Sequence, residues 1–460
     1  MKRFGWQWRA VSSLLLTASL IRSGAAEIRP QYGGTVHVAM REAPISLDPN
    51  DTTQADSFAR RNLLALIFET LVTVDDRGRM RSGLAVDWQA APGNQRWQFH
   101  LRRGVKFHDG SSLTAEIAAS SLRMANPSWK VFAEADSVIV ECEHGDADLP
   151  AALALTRNSI VKKQGGGKLS GTGPFYIEDW QPGKKLTLGA EENHWRGRGF
   201  VDAIEIEMGR NFHEQLNELE LRKADLVEVA PEQAHRVAIE GCRVSSSQPV
   251  ELVALVFSGD PKTADDKLLR SALARSIDRS SMKSALLQGA GQPAASLLPN
   301  WMSGYGFVFS SDADLKQARQ LRDQVRTAAN WTLGYDANDS VARLLAERVA
   351  LNAKDADLVL QPTTAATVDL RLVRIPLASA DPWIALAYVA GTLGMSMPNA
   401  RGESMEDLYA AEFALLAEQR VIPLFHLPEE YATAPTLKDW GLAKDGSWRL
   451  DEVWMAKDKP

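Results

Sequence analysis

The spacing of apolar residues along the chain predicts helices that alternate with strands. Apolar positions at helical spacing predict a helix over residues 56–70. Alternating apolar and polar residues predict two hairpins, one over 97–107 and one over 175–190. Farther along, a strand, a helix and a second strand are predicted within 331–361, as in a βαβ unit. This mixture predicts an α/β fold with mixed sheets.

An apolar stretch from Val11 to Ile21 stands apart from this alternation. It is shorter than the roughly 20 residues that a helix needs to cross a bilayer. A basic start, a short apolar stretch and small residues after it are typical of a secretory signal peptide, although a buried N-terminal helix has a similar pattern. We expect residues 1–26 to be the signal, cleaved near Ala25 or Ala26, and the mature protein to be periplasmic. Because this segment holds no cysteine, we expect no lipid anchor.

The composition restricts the partners of the chain. Its 460 residues are 45% hydrophobic and 24% charged, and the length predicts about three domains. The formal charge is −6, and removal of residues 1–26 deletes four cations and no acid, which brings it to −10. An acidic surface repels phosphate groups, so we expect no nucleic-acid partner and no anionic-membrane partner. Cys142 and Cys242 are interpreted as buried free thiols, with a disulfide as the alternative.

The sequence contains no recognisable catalytic or metal-binding arrangement. None of the eight histidines is spaced with another histidine or a cysteine as zinc ligands are, so we expect no metal site. His108-Asp109-Gly110 is typical of a turn after a strand. Leu169 stands where a phosphate loop would need Ser or Thr after Gly167-Lys168. Acidic pairs such as Glu429-Glu430 are interpreted as solvated turns. We therefore expect neither enzyme activity nor a cofactor.

Several segments, in order along residues 33–427, resemble the peptide/nickel class of extracellular solute-binding proteins, family 5. The long segment from Phe99 to Gly110, which continues to Leu113-Thr114-Ala115-Glu116, is the most specific of them. The others are Gly33-Gly34-Thr35-Val36-His37-Val38-Ala39, Leu47-Asp48-Pro49, Gly171-Thr172-Gly173-Pro174-Phe175, Ser276-Ile277-Asp278-Arg279 and Ile422-Pro423-Leu424-Phe425-His426.

The resemblance implies a two-lobe, periplasmic-binding-protein-like fold of type II, with a hinge between the lobes and an extra subdomain on the first. The lobes would close around a solute and present it to an ABC permease, and the protein would be a monomer. The expected boundaries are 27–47, 170–257 and 425–460 for the first lobe, 48–169 for the extra subdomain, and 258–424 for the second lobe.

Departures from the family pattern bear on the cargo. The chain is short between Leu122 and Gly171, and it lacks the tryptophan-rich run that often precedes the acidic ligand contact of peptide binders. We therefore expect a small cargo, a short peptide or a peptide-like compound. The alternatives are a nickel chelate, a sugar or an opine, or a sensory or scaffold protein that no longer serves transport.

Six residues are candidate ligand contacts. The resemblance places Asp381 in a segment that faces the cleft, where its carboxylate could pair with an amine. Equally, Asp381 could cap a helix that begins at Pro382. Trp301 and Trp383 could form an aromatic wall of the cleft or belong to the core. The loop Ile45-Ser46-Leu47 would face the same cleft from the first lobe.

Overall fold

The computed structural model describes residues 29–51, 53–54, 56–230, 233–327, 329–337, 339–377, 379–398, 402 and 404–456. The predicted signal peptide and its cleavage site lie outside these residues. Within them, no helix combines the length and the apolar character needed to span a membrane.

The strands are β1 Thr35–Ala39, β2 Val72–Val74, β3 Met80–Ser82, β4 Ala85–Ala90, β5 Arg96–Leu101, β6 Lys130–Glu134, β7 Ser137–Glu141, β8 Lys162–Lys163, β9 Leu169–Ser170, β10 Phe175–Gln181, β11 Lys185–Ala190, β12 Ala203–Glu207, β13 Leu226–Glu228, β14 Arg243–Phe257, β15 Gln292–Pro293, β16 Asn330–Gly334, β17 Val359–Thr363, β18 Leu370–Pro376, β19 Val421–Thr433, β20 Leu437–Lys438 and β21 Trp454–Met455.

The α-helices are α1 Phe58–Ile67, α2 Ala115–Ala125, α3 Leu149–Leu153, α4 Phe212–Glu220, α5 Ala234–Ile239, α6 Ala264–Ser276, α7 Arg279–Leu286, α8 Asn300–Ser303, α9 Leu315–Asp323, α10 Ser340–Asp355, α11 Pro382–Thr392 and α12 Met405–Ala417.

In the part of the chain that the structure describes, one mixed sheet of eleven strands runs through both lobes. Its order is β10-β11-β12-β1-β13-β19-β14-β18-β16-β17, with β15 paired to β19. The long antiparallel strands β14 and β19 pair with each other and connect the two lobes. β19 also pairs with β13 of the first lobe, and β14 also pairs with β18 of the second lobe. We call β14 and β19 the hinge. The chain crosses from the first lobe to the second along β14 and returns along β19.

The pairing of the hinge strands is irregular where the lobes meet. Pro249 lies opposite Pro428, and the register shifts on both sides of Pro249. Proline has no N–H to donate, so this pair interrupts the ladder of hydrogen bonds. The sheet is thus weakest in hydrogen bonds at the point where a bend would move one lobe relative to the other.

The apolar cores follow this division. Val36, Leu63 and Phe175 share a core in the first lobe, while the second lobe has a core on each face of the sheet. The core of the extra subdomain begins at Leu71 and continues to Ile160. Helix α1, which the expected boundary at residue 48 places in the subdomain, packs instead in the first-lobe core because its leucines lie against β1 and β10.

Most of the predicted elements are present. The α/β fold with a mixed sheet is confirmed, as are the hairpin of β10 and β11 and the parallel β16–α10–β17 unit. The hairpin over 97–107 is wrong, since β5 pairs with β4 and β7 in a four-stranded sheet. Alternation shows that a strand has one buried face, but it does not identify the neighbouring strand.

Candidate functional site

Two cavities of the cleft between the lobes are larger than the others found among the described residues. The larger, of about 520 Å³, is bounded by the first lobe, the hinge and the second lobe, and we call it the hinge cavity. The first lobe contributes Arg41 and Glu42 to its wall, the hinge contributes Glu251 and Glu429, and the second lobe contributes Asp339 and Arg374. The smaller, of about 280 Å³, lies nearer the extra subdomain, and we call it the subdomain cavity. Glu69, Thr156 and His194 line it opposite Leu377, Ser379 and Ala380 of the second lobe.

Arg61 of α1 links the two lobes between these cavities. Its Nη1 donates a hydrogen bond of 2.7 Å to the carbonyl oxygen of Leu377 in the second lobe. Its Nε and Nη2 donate to the two carboxylate oxygens of Asp56, each at 2.7 Å. The guanidinium also lies over the ring of Tyr388, 5.4 Å from the centroid. These contacts join the first lobe to the second between the two cavities.

The wall of the hinge cavity is rich in acidic residues. Its basic residues are Arg41 and Arg374. Its acidic residues are Glu42, Asp56, Glu228, Glu251, Asp336, Asp339, Glu429 and Glu430. Carboxylates thus outnumber guanidinium groups four to one on this wall.

Arg374 of β18 neutralises two of these carboxylates. Its Nη1 lies 2.8 Å from Oε2 of Glu251 on hinge strand β14, and its Nε lies 2.8 Å from Oδ2 of Asp339. Asp339 is also the N-cap of α10, where its Oδ1 accepts hydrogen bonds from the N–H groups of Val341 and Ala342. Burial disfavours the charged guanidinium, but Glu251 and Asp339 outweigh it and raise the pKa of Arg374. This ion-pair triad attaches the hinge to the second lobe.

Glu228 and Glu42 have polar partners, and no cationic side chain of the described residues lies within ion-pair distance of either carboxylate. Oε2 of Glu228 accepts hydrogen bonds from the backbone N–H of Arg41 at 2.7 Å and from Nε2 of Gln215 at 3.3 Å. Glu42 bonds to the Ser57 hydroxyl. The Arg41 guanidinium lies over the ring of Phe212, 5.3 Å from its centroid. Burial raises the pKa of both carboxyls above the ordinary range.

Among the acidic residues of the wall, Glu429 has the fewest polar or cationic partners. Its backbone N–H donates to the Ser247 hydroxyl at 2.9 Å. In the described part of the chain its carboxylate has neither a hydrogen bond nor an ion pair. Burial raises the pKa of Glu429 well above its usual value, and the charges of Glu251, Glu228 and Glu42 raise it further.

The candidate loop from the first lobe does not line either cavity. Ile45 is 61% exposed, and Leu47 is buried in the first-lobe core. The Ser46 hydroxyl accepts a hydrogen bond from the backbone N–H of Asp48. The loop is held against the β10–β11 turn, because the N–H of Gly183 donates to the carbonyl oxygen of Pro44 at 2.9 Å. Within the same segment, Arg41 and Glu42 do reach the hinge cavity.

The three candidates from the second lobe also lie outside both cavities. Trp301 donates its Nε1–H to the carbonyl oxygen of Pro249 at 2.7 Å and so packs on the hinge. Trp383 is buried in a second-lobe core. Asp381 is buried and caps α11, because its Oδ1 accepts from the N–H groups of Trp383 and Ile384 at 3.0 and 3.1 Å. Ala380, the residue before it, lines the subdomain cavity.

Replacing Asp381 with alanine is expected to lower the free energy of unfolding by about 1 kcal/mol, because two N–H groups of the first helical turn lose their acceptor. Asp381→Asn retains an N-cap acceptor and is expected to cost only a few tenths of a kcal/mol. Urea denaturation of both variants measures this. If Asp381→Asn kept its stability but weakened the binding of an amine-bearing dipeptide about tenfold, Asp381 would be a ligand contact and its capping role secondary.

Sequence reasoning missed the residues that line the hinge cavity. The Glu429-Glu430 pair is not a solvated turn, since both residues lie within β19 and Glu430 is buried. A signal was present, because apolar strand residues both precede and follow the pair and make a turn there unfavourable. Arg374 and Glu251 carry no comparable signal, since a single charged residue between apolar neighbours in a strand does not show which other charges it will meet.

Other sequence expectations concern metals and thiols. The described ranges contain no group of three or more His, Cys, Asp or Glu side chains that could hold a metal ion. Cys142 and Cys242 carry free thiols. Burial raises the pKa of each thiol, which disfavours the reactive thiolate.

The sequence of the chain is similar to those of known proteins. The profile of "Bacterial extracellular solute-binding proteins, family 5 Middle" matches residues 79–361, which is more than half of the chain. The uncharacterized protein YhjP of Bacillus subtilis is 30% identical over 204 residues, 41% of this chain and 34% of that protein. The nickel-binding protein NikA of Staphylococcus aureus is 24% identical over 246 residues, 50% of this chain and 49% of that protein. The chain therefore spans about half the length, or less, of these curated relatives.

Similarity to solved structures extends over more of the chain. The murein tripeptide binding protein MppA of Escherichia coli superposes with a TM-score of 0.77 at 17% sequence identity, over 93% of this chain and 100% of that one. At that identity the match establishes the fold alone. The fold and the profile match confirm both the type II periplasmic-binding-protein architecture and the expected resemblance, and neither is that of an enzyme family. The chain belongs to family 5 of the bacterial extracellular solute-binding proteins.

Proposed function

We propose that the protein captures a small solute in its interlobe cleft and presents it to the permease of an ABC importer in the periplasm. The observation that carries this proposal is the hinge cavity, whose wall combines the first lobe, the hinge and the second lobe. A solute bound there contacts both lobes at once and therefore stabilises the closed arrangement over the open one. Two strands alone carry the main sheet from one lobe to the other, and their ladder is interrupted at Pro249 and Pro428.

A short peptide or a peptide-like compound is the cargo class that we propose. The volume of about 520 Å³ lies within the range of roughly 300–1,000 Å³ that small-molecule sites occupy. Structures of the same fold contain the dipeptide Met-Leu in one case and agropinic acid in another. A nickel chelate, a sugar or an opine is the alternative cargo.

Native mass spectrometry of the protein, purified from its host without a denaturing step, tests the proposal. We expect a bound solute of a few hundred daltons, because the cavity holds a molecule of that size. Unfolding and refolding the same preparation provides the matched solute-free control. Returning the released solute should lower the radius of gyration in X-ray scattering, because it closes the cleft. A preparation without a solute, whose radius of gyration does not respond to any fraction of host extract, would contradict the proposal.

A further inference from the structure

We infer that the hinge cavity binds a positively charged organic solute, an amine or a guanidine, with Glu429 as its main counter-charge. The inference rests on the proposed function and deepens it, because it names the charge of the solute. It depends on three features: the balance of charge on the wall, the position of Glu429, and the shape and chemistry of the remaining surface.

The charges on the wall do not compensate one another. Glu251 and Asp339 pair with Arg374, and Asp56 pairs with Arg61. Glu228, Glu42 and Glu429 have no cationic side chain within ion-pair distance among the described residues. The guanidinium of Arg41, the remaining cation on the wall, lies over Phe212. Glu430 also lacks a cationic partner and accepts a hydrogen bond from the Ser246 hydroxyl, so four carboxylates on this wall have no counter-ion among the described residues.

Glu429 points this excess charge into the cavity. The side chain is partly buried and lines the hinge cavity. Its carboxylate has no hydrogen-bond partner in the described ranges. A partly buried carboxylate without a partner is unfavourable, and a bound ammonium or guanidinium group supplies both the hydrogen bonds and the charge that it lacks.

The rest of the wall suits an organic cation. The described carboxylates form no group with the geometry of a metal site. Phe58 and Phe212 line the cavity, and because Arg61 and Arg41 already lie over these rings, the rings offer apolar surface rather than a second site for a cation. A solute of this class would place its cationic group at Glu429 and its apolar part along these rings.

The pKa of Glu429 gives the proposal a pH dependence. Burial, and after it the neighbouring carboxylates, keep this pKa well above its usual value. A cation binds the ionised carboxylate, so its affinity should rise with pH through a range above the ordinary glutamate pKa, and binding should release protons. A neutral solute should show neither effect.

Titration calorimetry of the full chain, stripped of solute by unfolding and refolding, tests the inference. The cationic probes are agmatine, 1,5-diaminopentane and the dipeptide Ala-Arg, and every dipeptide is N-acetylated and C-amidated so that only its side chain can carry charge. Ala-citrulline in the same blocked form is the matched neutral probe, since a urea replaces the guanidinium of Ala-Arg, and blocked Ala-Glu is the anionic one. We expect a cationic probe to bind more tightly than Ala-citrulline by about tenfold or more.

Two variants separate a ligand role from a structural one. Glu429→Gln should lower the affinity for the cationic probe about tenfold or more, and it should raise the thermal midpoint of the solute-free protein because an uncompensated charge is removed. Glu143→Gln removes the same charge from an exposed site in the subdomain, so it should change neither quantity. Glu42→Gln is the second test within the cavity and should also weaken cation binding.

The outcomes distinguish the two proposals. If Ala-citrulline or Ala-Glu binds as tightly as the cationic probes, the charge inference is overturned and the proposed function stands. If Glu429→Gln leaves cation affinity unchanged, Glu429 is not the counter-charge. If no probe binds and the native protein carries no solute, both the charge inference and the proposed function are overturned.

Discussion

Replacing Arg374 with alanine is expected to lower the free energy of unfolding by about 3 kcal/mol, because it leaves two mostly buried carboxylates without their cation. Glu251 and Asp339 each lie 2.8 Å from the Arg374 guanidinium, with side-chain exposures of 14% and 12%. They belong to different elements, so the loss also weakens the attachment of the hinge to α10. Urea denaturation at neutral pH measures the change.

A matched variant on the surface provides the control for Arg374. Arg343 also pairs with a carboxylate, that of Glu347, but the two side chains are 65% and 47% exposed. Arg343→Ala should therefore cost no more than about 0.5 kcal/mol. Arg374→Lys should recover part of the loss, since it restores the charge but not the forked geometry. A loss below about 1 kcal/mol for Arg374→Ala would show that water in the cavity compensates the two carboxylates.

Replacing Arg279 is expected to lower the free energy of unfolding by a similar amount, but through the loss of hydrogen bonds rather than of ion pairs. Its side chain is buried, and its guanidinium donates to backbone carbonyl oxygens without a carboxylate partner in the part of the chain described. Nε and Nη2 both donate to Pro423 of hinge strand β19, at 3.0 and 2.9 Å, while Nη1 lies 3.3 Å from the carbonyl oxygen of Ala274. Burial lowers the pKa of Arg279 to about 10, which still leaves it charged at neutral pH.

Arg279→Met should lower the free energy of unfolding by about 3 kcal/mol, since several buried carbonyl groups lose their donor at about 1 kcal/mol or more each. Arg275→Met is the control, because Arg275 is exposed and lies in the preceding helix α6, and it should change stability by less than about 0.5 kcal/mol. Equal effects of the two variants in urea denaturation would show that the bonds to Pro423 add nothing to stability.

Elements whose signals lie within one segment could be predicted from the sequence. The β16–α10–β17 unit is an example, because both strands and the helix each carry their own periodicity. The hairpin of β10 and β11 is another, because its turn is encoded by Pro182-Gly183 between the strands. The incorrect hairpin over 97–107 shows the limit. Its first strand was predicted, but its partners β4 and β7 are chosen by packing in the subdomain core.

The candidate site could be predicted only in part. The segment before Asp381 does reach the cleft, but the Asp381 carboxylate serves the helix that it precedes. Ile45, Ser46 and Leu47 line neither cavity, whereas Arg41 and Glu42 of the same segment line the hinge cavity. The sequence does not show which residues of this segment face the cleft, because that depends on how the segment packs on the β10–β11 turn.

The sequence by itself determined the family, the α/β class and the absence of a recognisable catalytic motif, because ordered local motifs carry that information. Only the tertiary structure decided where charge accumulates. Glu42, Glu228, Glu251, Arg374 and Glu429 are scattered over almost the entire chain, and the pairing of β14, β18 and β19 brings them around one cavity. Burial then raises the pKa of Glu429, whose carboxylate has no hydrogen-bond or ion-pair partner among the described residues, and no pattern in the sequence distinguishes that carboxylate from an ordinary surface one.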